Sequence, residues 1–254
     1  MNFDDSTYFK AYDHNYRVAY EEGLAFLGEG GSQGVLRRLE GMLRKITRSP
    51  PETRILDVGC GDGTVGLFLD GLGYRYLGTD ISEAAIERAR RRCAEAGAGP
   101  KFEVANALDP DTLPAHGFDI VLDCYCFNML VVDAHRKDYL GNVRGAMRDG
   151  GYYILFGSHD PNACQGPVDS FAEFCRKTGA NTSGVPLQKR QGDRWEAVNG
   201  KSVFLMGRSQ SLKGYREELT AAGFRILYRT TYRRDRRDAG FLMRKDVEAP
   251  DGYR

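Results

Sequence analysis

Asp57, Gly59, Gly61 and Gly63 stand at alternate positions in the stretch Arg54-Ile55-Leu56-Asp57-Val58-Gly59-Cys60-Gly61-Asp62-Gly63, a pattern suited to a ligand pressed against backbone. Glycine lacks a Cβ and enters the left-handed region without strain. Three alternate glycines after an apolar run therefore admit a ligand to the main chain, and a helix starting at Thr64 would turn unpaired N–H groups toward it. A second carboxylate, Asp80, follows Gly59 by about 20 positions, the separation at which an acid at the tip of the next strand takes ribose hydroxyls in a doubly wound sheet. Ser82 stands at the N-cap of the following helix, which relieves Asp80 of that duty.

Strand and helix signals alternate around these residues. Tyr74 to Leu77, Phe102 to Ala105, Phe118 to Cys124 and Tyr152 to Phe156 read as strands, separated by helices from Thr64, from Ser82 to Ala96 and from Arg136 to Met147. Repeated strand-helix units with right-handed crossovers predict a doubly wound parallel sheet. Ligands bind such sheets outside the carboxyl ends of the strands, so Asp123, Tyr125 and Asn128, beyond the fourth strand, are expected to wall the pocket.

Leu56 to Gly63 followed by Gly78-Thr79-Asp80-Ile81-Ser82 resembles a class I S-adenosylmethionine-dependent methyltransferase of the small-molecule type, over the stretch from Arg54 to Ser158. The resemblance implies an α/β, Rossmann-like, doubly wound, mostly parallel seven-stranded sheet with an antiparallel C-terminal hairpin. It also implies S-adenosyl-L-methionine as cofactor and S-adenosyl-L-homocysteine as product. Asp57, Gly59 and Gly61 would surround the methionine part, Asp80 would hold the ribose and Asn106-Ala107 the adenine, with Ile81 a further cofactor residue. Asn106 replaces an acid usual in the family; its amide oxygen is still an acceptor. Asp123 is a further cofactor candidate. Near Asn128 the family often has His, and this chain has none there.

Gly61, Gly63 and Gly66 also satisfy a dinucleotide fingerprint, the signature of an NAD(P)-dependent oxidoreductase. That frame leaves Asp57 and Gly59 unexplained, because the apolar run stops at Val58. A methyltransferase of protein or RNA, and a ligand-binding module that keeps the fold without catalysis, are also compatible with the glycine loop and its acid. The Asn/Asp-Pro-Pro-Tyr signature of nucleic-acid and protein amide methylation does not occur.

Length and charge narrow the partners. The 254 residues fit one α/β domain with an embellishment, and 36 Lys plus Arg against 35 Asp plus Glu leave no general field for nucleic acid or anionic membrane,. No apolar run approaches a membrane span, and Met1 to Asp5 lacks the features of a signal peptide, so a cytoplasmic protein acting on a small-molecule methyl acceptor is expected. Six cysteines and four scattered histidines show no metal-ligand or disulfide spacing,. Oligomeric state is left open.

Three further segments complete the expectation. Residues 1 to 50 form a helical lid and covering helix. Tyr12, Tyr16 and Tyr20 share one helical face there, with Tyr12 expected at substrate and Tyr16 at cofactor. Gly28 to Gly34 reads as a break before the covering helix of Val35, Leu36, Leu39, Leu43 and Ile46. Residues 51–158 and 206–254 form the core, and 159–205 an inserted cap whose hairpin turns at Asn199-Gly200 and carries Trp195 toward substrate. The charged run Arg233, Arg234, Asp235, Arg236, Arg237 reads as a solvated turn of the C-terminal hairpin. The expected reaction is methylation of nitrogen or oxygen in a small metabolite, such as a natural-product intermediate. For a hydroxyl acceptor His159 or Asp123 would serve as base; no metal is expected.

Overall fold

Alternation of apolar side chains along each strand dictates a sheet covered on both faces. In the computed structural model, which describes residues 3–24, 29–47, 49–114, 117–163, 166–191, 194–232 and 237–246, parallel strands β1 (Arg54–Val58), β2 (Arg75–Asp80), β3 (Lys101–Val104), β4 (Phe118–Cys124) and β5 (Met147–Ser158) form the body of the sheet. The hairpin strands β8 (Phe224–Tyr232) and β9 (Asp238–Lys245) complete it in the order β3-β2-β1-β4-β5-β9-β8, with β9 antiparallel to both neighbours. That reversed strand matches the fold class expected from the sequence. Ile55, Ile120, Leu122, Ile154 and Phe156 pack under α2 (Glu29–Ile46), α3 (Thr64–Gly71) and α4 (Glu83–Ala96). Leu56, Val58, Val121, Tyr153 and Leu155 point to α5 (Asp133–Ala146) and α7 (Leu212–Ala221) on the opposite face. Successive residues thus feed two cores, as the two-residue period of a strand requires.

A third layer lies across the carboxyl ends of the strands. Its centre is α1 (Ala11–Glu21), flanked by α6 (Phe171–Thr178) and by a two-stranded hairpin of β6 (Val185–Gln191) and β7 (Arg194–Val203). Tyr12 and Tyr16 pack inward with Ala84 and Ala85 of α4, whereas Val18 and Ala19 pack outward against Leu187, Val198 and Val203 of the hairpin. Asn15, fully buried between these faces, donates its Nδ2 to the Phe204 carbonyl at 2.7 Å and accepts the Phe204 N–H on Oδ1 at 2.8 Å. The side chain thereby pairs with the main chain as a strand would. At the other end Asp13 accepts from Ser82 Oγ at 2.7 Å, fastening α1 to the start of α4.

Two local expectations are corrected. The cap hairpin does not turn at Asn199-Gly200: Gln191 pairs with Arg194, so reversal lies between them, and Asn199-Gly200 sits within β7. Pro186 pairs with Ser202 and Gln188 with Ala197, so residues 198–201 oppose Leu187 alone, and Gly200 spends its positive φ of 71° on this bulge,. The break expected over Gly28 to Gly34 is also absent from Glu29 onward, where α2 already runs. Its glycines each cost roughly 1 kcal/mol relative to Ala, and the stripe of Val35, Leu39, Met42 and Leu43 downstream anchors the helix in the core. Arg233, Arg234, Asp235 and Arg236 lie outside the described residues. Among those described, no helix is long and apolar enough to cross a membrane.

The Asn15 pairing makes a stability prediction. Asn15→Ala strands the Phe204 N–H and C=O in a buried seam, so urea unfolding should show a loss of about 1–3 kcal/mol for each group left unpaired. Unchanged stability would show that the third layer is held by apolar contact alone.

Candidate functional site

Three left-handed glycines shape the floor of the site. Gly59, Gly61 and Gly63 have φ of 75°, 55° and 78°, and the loop they form is braced from within. Gly59 and Cys60 donate their N–H groups to the Thr79 carbonyl at 2.7 and 2.9 Å, and Gly63 donates to Cys60 O at 3.2 Å. Asp80 accepts the Gly61 N–H on Oδ2 and the Ser82 N–H on Oδ1, each at 2.9 Å. At the head of α3 the Thr64 N–H is taken by Asp62 Oδ1 at 3.3 Å, and Arg92 holds the other Asp62 oxygen at 2.7 Å. The expected row of outward donors is thus turned inward; what the loop supplies is shape. A Cβ on Gly59 would lie 2.4 Å from Cys126 Cβ, and one on Gly61 would lie 2.8 Å from Tyr16 Oη.

Above this floor opens a cavity that encloses, with its mouth, about 760 Å³ of empty space. Gly59, Asp80, Ile81, Asn106, Ala107, Tyr12, Tyr16 and Tyr125 all line it, so most of the residues singled out by the sequence converge there. Asp80 keeps lone pairs after its two backbone bonds, since an ionised carboxylate offers about four acceptor sites. Ile81, Ala105, Ala107 and Leu108 make one wall apolar. Asn106 turns its amide oxygen onto the Leu108 N–H at 3.1 Å. Tyr12 donates its phenol to the Met206 carbonyl at 2.6 Å. Burial pushes the Tyr12 and Tyr16 phenols above their ordinary range, so both stay protonated near neutrality.

Asp57 belongs to the base of the site. It is fully buried, its Oδ2 accepts from Tyr76 Oη at 2.8 Å, and its Oδ1 has no partner among the described residues. Burial pushes its carboxyl up to about 7. Cys124 and Cys126 line the cavity, but burial raises both thiols well above their ordinary value, so neither is an ionised nucleophile at neutral pH,.

Four candidates are placed elsewhere. Asp123 is fully buried and spends its carboxylate on the Cys126 and Phe127 N–H groups and on the phenols of Tyr139, at 2.6 Å, and Tyr153, at 3.2 Å. It caps the turn after β4 and does not line the cavity. Asn128 likewise accepts from Ser158 N–H at 3.0 Å and donates to the Arg208 carbonyl at 3.1 Å, a buried staple between two loops. His159 pairs with Gln210, its Nδ1 lies 3.1 Å from the Gln210 carbonyl, and it is not part of the cavity wall. Trp195 stands 66 % exposed on the outer hairpin. Position beyond a strand end suggested the first three, but backbone groups left unpaired by the turns claim their side chains first. Conversely, Phe9, Met129 and Leu130 line the cavity without any sequence signal beyond apolarity.

Comparison with known proteins decides the family. A methyltransferase domain model matches residues 56–153, spanning β1 to β5. Residues 56–153 thus carry a methyltransferase domain, and the similar proteins support a class I S-adenosylmethionine-dependent methyltransferase. It is 35% identical over 118 residues to ubiquinone biosynthesis O-methyltransferase of Thiobacillus denitrificans, covering 46% of this chain and 49% of that protein. It is also 38% identical over 80 residues to the S-adenosyl-L-methionine-dependent Diels-Alderase iccD of Talaromyces variabilis, over 32% of this chain and 27% of that one. The chain thus spans about half or less of the length of these curated relatives. A Burkholderia thailandensis 1,6-didemethyltoxoflavin-N1-methyltransferase, solved with its substrate and S-adenosylhomocysteine, shares the fold at TM-score 0.65 and 15% identity, over 95% of this chain and 90% of that one.

The methyltransferase site fits the family's cofactor on its own chemistry. Asp80 offers carboxylate lone pairs in the cavity wall, the apolar wall of Ile81, Ala107 and Leu108 offers a slot for a base, and Asp57, on β1 just before the glycine loop, keeps an oxygen without a partner among the described residues.

Asp57 also sets a pH dependence. Its folded carboxyl is raised to about 7, above the ordinary 3.8, so the folded chain holds that proton more tightly than the unfolded chain. The resulting stabilisation is complete below about pH 4 and is lost as pH rises through 7. Against an Asp57→Asn variant, which cannot titrate, wild-type unfolding free energy should fall by about 1.4 kcal/mol per unit between pH 5 and 7. Parallel pH profiles for the two proteins would place the Asp57 carboxyl in its ordinary range.

Proposed function

We propose that this chain transfers the methyl group of S-adenosylmethionine to a nitrogen or oxygen of a small metabolite, within natural-product biosynthesis. The observation that carries the reading is Asp80, held at the cavity rim by the glycine loop it also braces, with acceptor capacity left for ribose hydroxyls. Two similar proteins named for small-molecule methylation, on oxygen and on ring nitrogen respectively, support the acceptor class.

When bound, the cofactor supplies a methyl group already activated by its sulfonium charge. The chain's own task is then to align the partners and exclude water. Asp80 receives the ribose, Ile81, Asn106 and Ala107 with Leu108 receive the adenine, and Asp57, Gly59, Gly61 and Tyr16 surround the methionine end. Residues 1–50 act as lid and cover, residues 51–158 and 206–254 as the cofactor-binding core, and residues 159–205 as a cap that holds the lid. Tyr12 and Tyr125 face the acceptor. Cys60, Cys93, Cys124, Cys126 and Cys175 are free thiols, which suits a reducing cytoplasmic compartment,.

Neither His159 nor Asp123 reaches the cavity wall, so the reaction relies on alignment, with an acceptor atom that is nucleophilic without a protein base. The Diels-Alderase relative makes product analysis the deciding experiment, since a related chain can carry a name for a different reaction,. Incubation with S-adenosylmethionine and a metabolite extract should yield S-adenosylhomocysteine and a product heavier by one methylene in mass spectrometry. A rearranged product of unchanged mass, without S-adenosylhomocysteine, would contradict methyl transfer. Asp80→Ala should weaken S-adenosylhomocysteine binding by roughly 1.5–3 kcal/mol per lost charge-assisted bond. His159→Ala should leave turnover within about threefold, where a general base would cost about 10²–10⁴.

A further inference from the structure

Among the described residues, Tyr125 is the one non-glycine position with a left-handed backbone, at φ 73°. It lies directly after β4 and lines the cavity. A bulky side chain at that φ is an outlier, whereas glycine adopts it freely. The neighbouring loop places glycine at each such position, 59, 61 and 63. A strained tyrosine where glycine fits the backbone is retained only if its surroundings hold it and its ring has a use.

Both the backbone and the phenol of Tyr125 are held. The Tyr125 N–H donates to the Phe156 carbonyl of β5 at 2.9 Å. Its phenol oxygen lies 2.8 Å from that of Tyr232 on β8, and the Arg38 guanidinium of α2 covers the Tyr232 ring at 3.7 Å from the centroid. β5 thus holds the backbone of this cavity-lining tyrosine and β8 its phenol, while α2 braces the Tyr232 partner. Other parts of that wall are apolar or carry phenols, from Phe9, Tyr12, Met129 and Leu130, and the Tyr12 hydroxyl is spent on Met206. Neither Asp57 nor Asp123 is part of the cavity wall, which leaves Asp80 as the carboxylate there among the described residues, and ribose takes it.

We propose that Tyr125 is the specificity-determining residue of the acceptor pocket and that the acceptor is an uncharged, planar aromatic molecule stacked on its ring. The proposal rests on the methyl-transfer reading of the cavity. Among the described residues that line the cavity, Asp80 is the one charged group, so once ribose takes it a charged acceptor finds no counter-charge in the wall. A saturated acceptor would be served equally by leucine or methionine, with no need of an aromatic ring at a strained position; a flat one gains the offset or edge-on geometry that ring quadrupoles favour.

The test uses 2-naphthol, its saturated counterpart decahydro-2-naphthol and the anion 2-naphthoate as probes, titrated by calorimetry into the full chain saturated with S-adenosylhomocysteine. Wild type should bind 2-naphthol about tenfold more tightly than either of the others. Tyr125→Gly, which keeps the left-handed backbone without strain, should lose about tenfold for 2-naphthol while S-adenosylhomocysteine affinity stays within about twofold. Tyr125→Phe keeps the ring without its phenol anchor and should lose about threefold. No preference among the probes, no binding of 2-naphthol, or unchanged 2-naphthol binding in Tyr125→Gly would overturn the proposal alone. Failure of the wild type to bind S-adenosylhomocysteine would overturn the cofactor reading, and this proposal with it.

Discussion

The Thr79 carbonyl and the Asp80 carboxylate hold the glycine loop, and the rest of the site depends on that hold. Two consecutive amides, Gly59 and Cys60, converge on one carbonyl, and the next residue, Gly61, donates to the carboxylate that follows it. This requires β1 and β2 to end in register, which the parallel pairing of Val58 with Thr79 provides. It also requires positive φ at alternate residues, which only glycine adopts without strain. The same carboxylate that shapes the loop stands at the cavity rim, so loop geometry and ligand recognition share one side chain. Burial raises the Asp80 carboxyl, and the backbone N–H groups of Ser82, Gly61 and Ile81 oppose that rise.

Polar contacts fix α1 beside this floor, where Tyr12 and Tyr16 line the cavity. Asn15 pairs with Phe204, Tyr12 with Met206 and Asp13 with Ser82, so α1 is joined to the cap on one side and to α4 on the other. Each contact replaces a water-exposed polar group with a satisfied buried one, which is specific where apolar packing alone is not. The Tyr8 phenol accepts the Val131 N–H at 3.0 Å and its ring stacks on Phe171 at 5.1 Å, extending the seam to the loop after β4. The segment inserted after β5 thus reaches the cavity mainly through α1, which explains why Trp195 stands in solvent.

The sheet, its reversed C-terminal strand and the glycine loop were legible in the sequence because they rest on local chemistry: alternating apolar residues, glycines that cannot be replaced at positive φ, and an acid at a strand tip. Gly66 illustrates how one pattern serves two readings. A Cβ there would lie 2.7 Å from Tyr76, so this glycine serves helix-strand packing, which either frame can use,. Side-chain allegiance in the turns was not legible. Asp123 and Asn128 have the right position and the right chemistry, yet the backbone groups of neighbouring loops capture them. Nothing in the sequence marks Tyr125 as left-handed, and the hairpin signal of Asn199-Gly200 was spent on a bulge, because register is set by pairing across the two arms,.

The most direct measurement of the central claim is a crystal structure of the chain grown with S-adenosylhomocysteine and NAD⁺ at equal concentration. The account predicts S-adenosylhomocysteine in the cavity, with ribose hydroxyls on Asp80, adenine against Ile81 and Ala107, and the sulfur turned toward the side of the cavity bearing Tyr125. A dinucleotide with its pyrophosphate on Gly61 to Gly66, or a nucleoside bound away from Asp80, would contradict it.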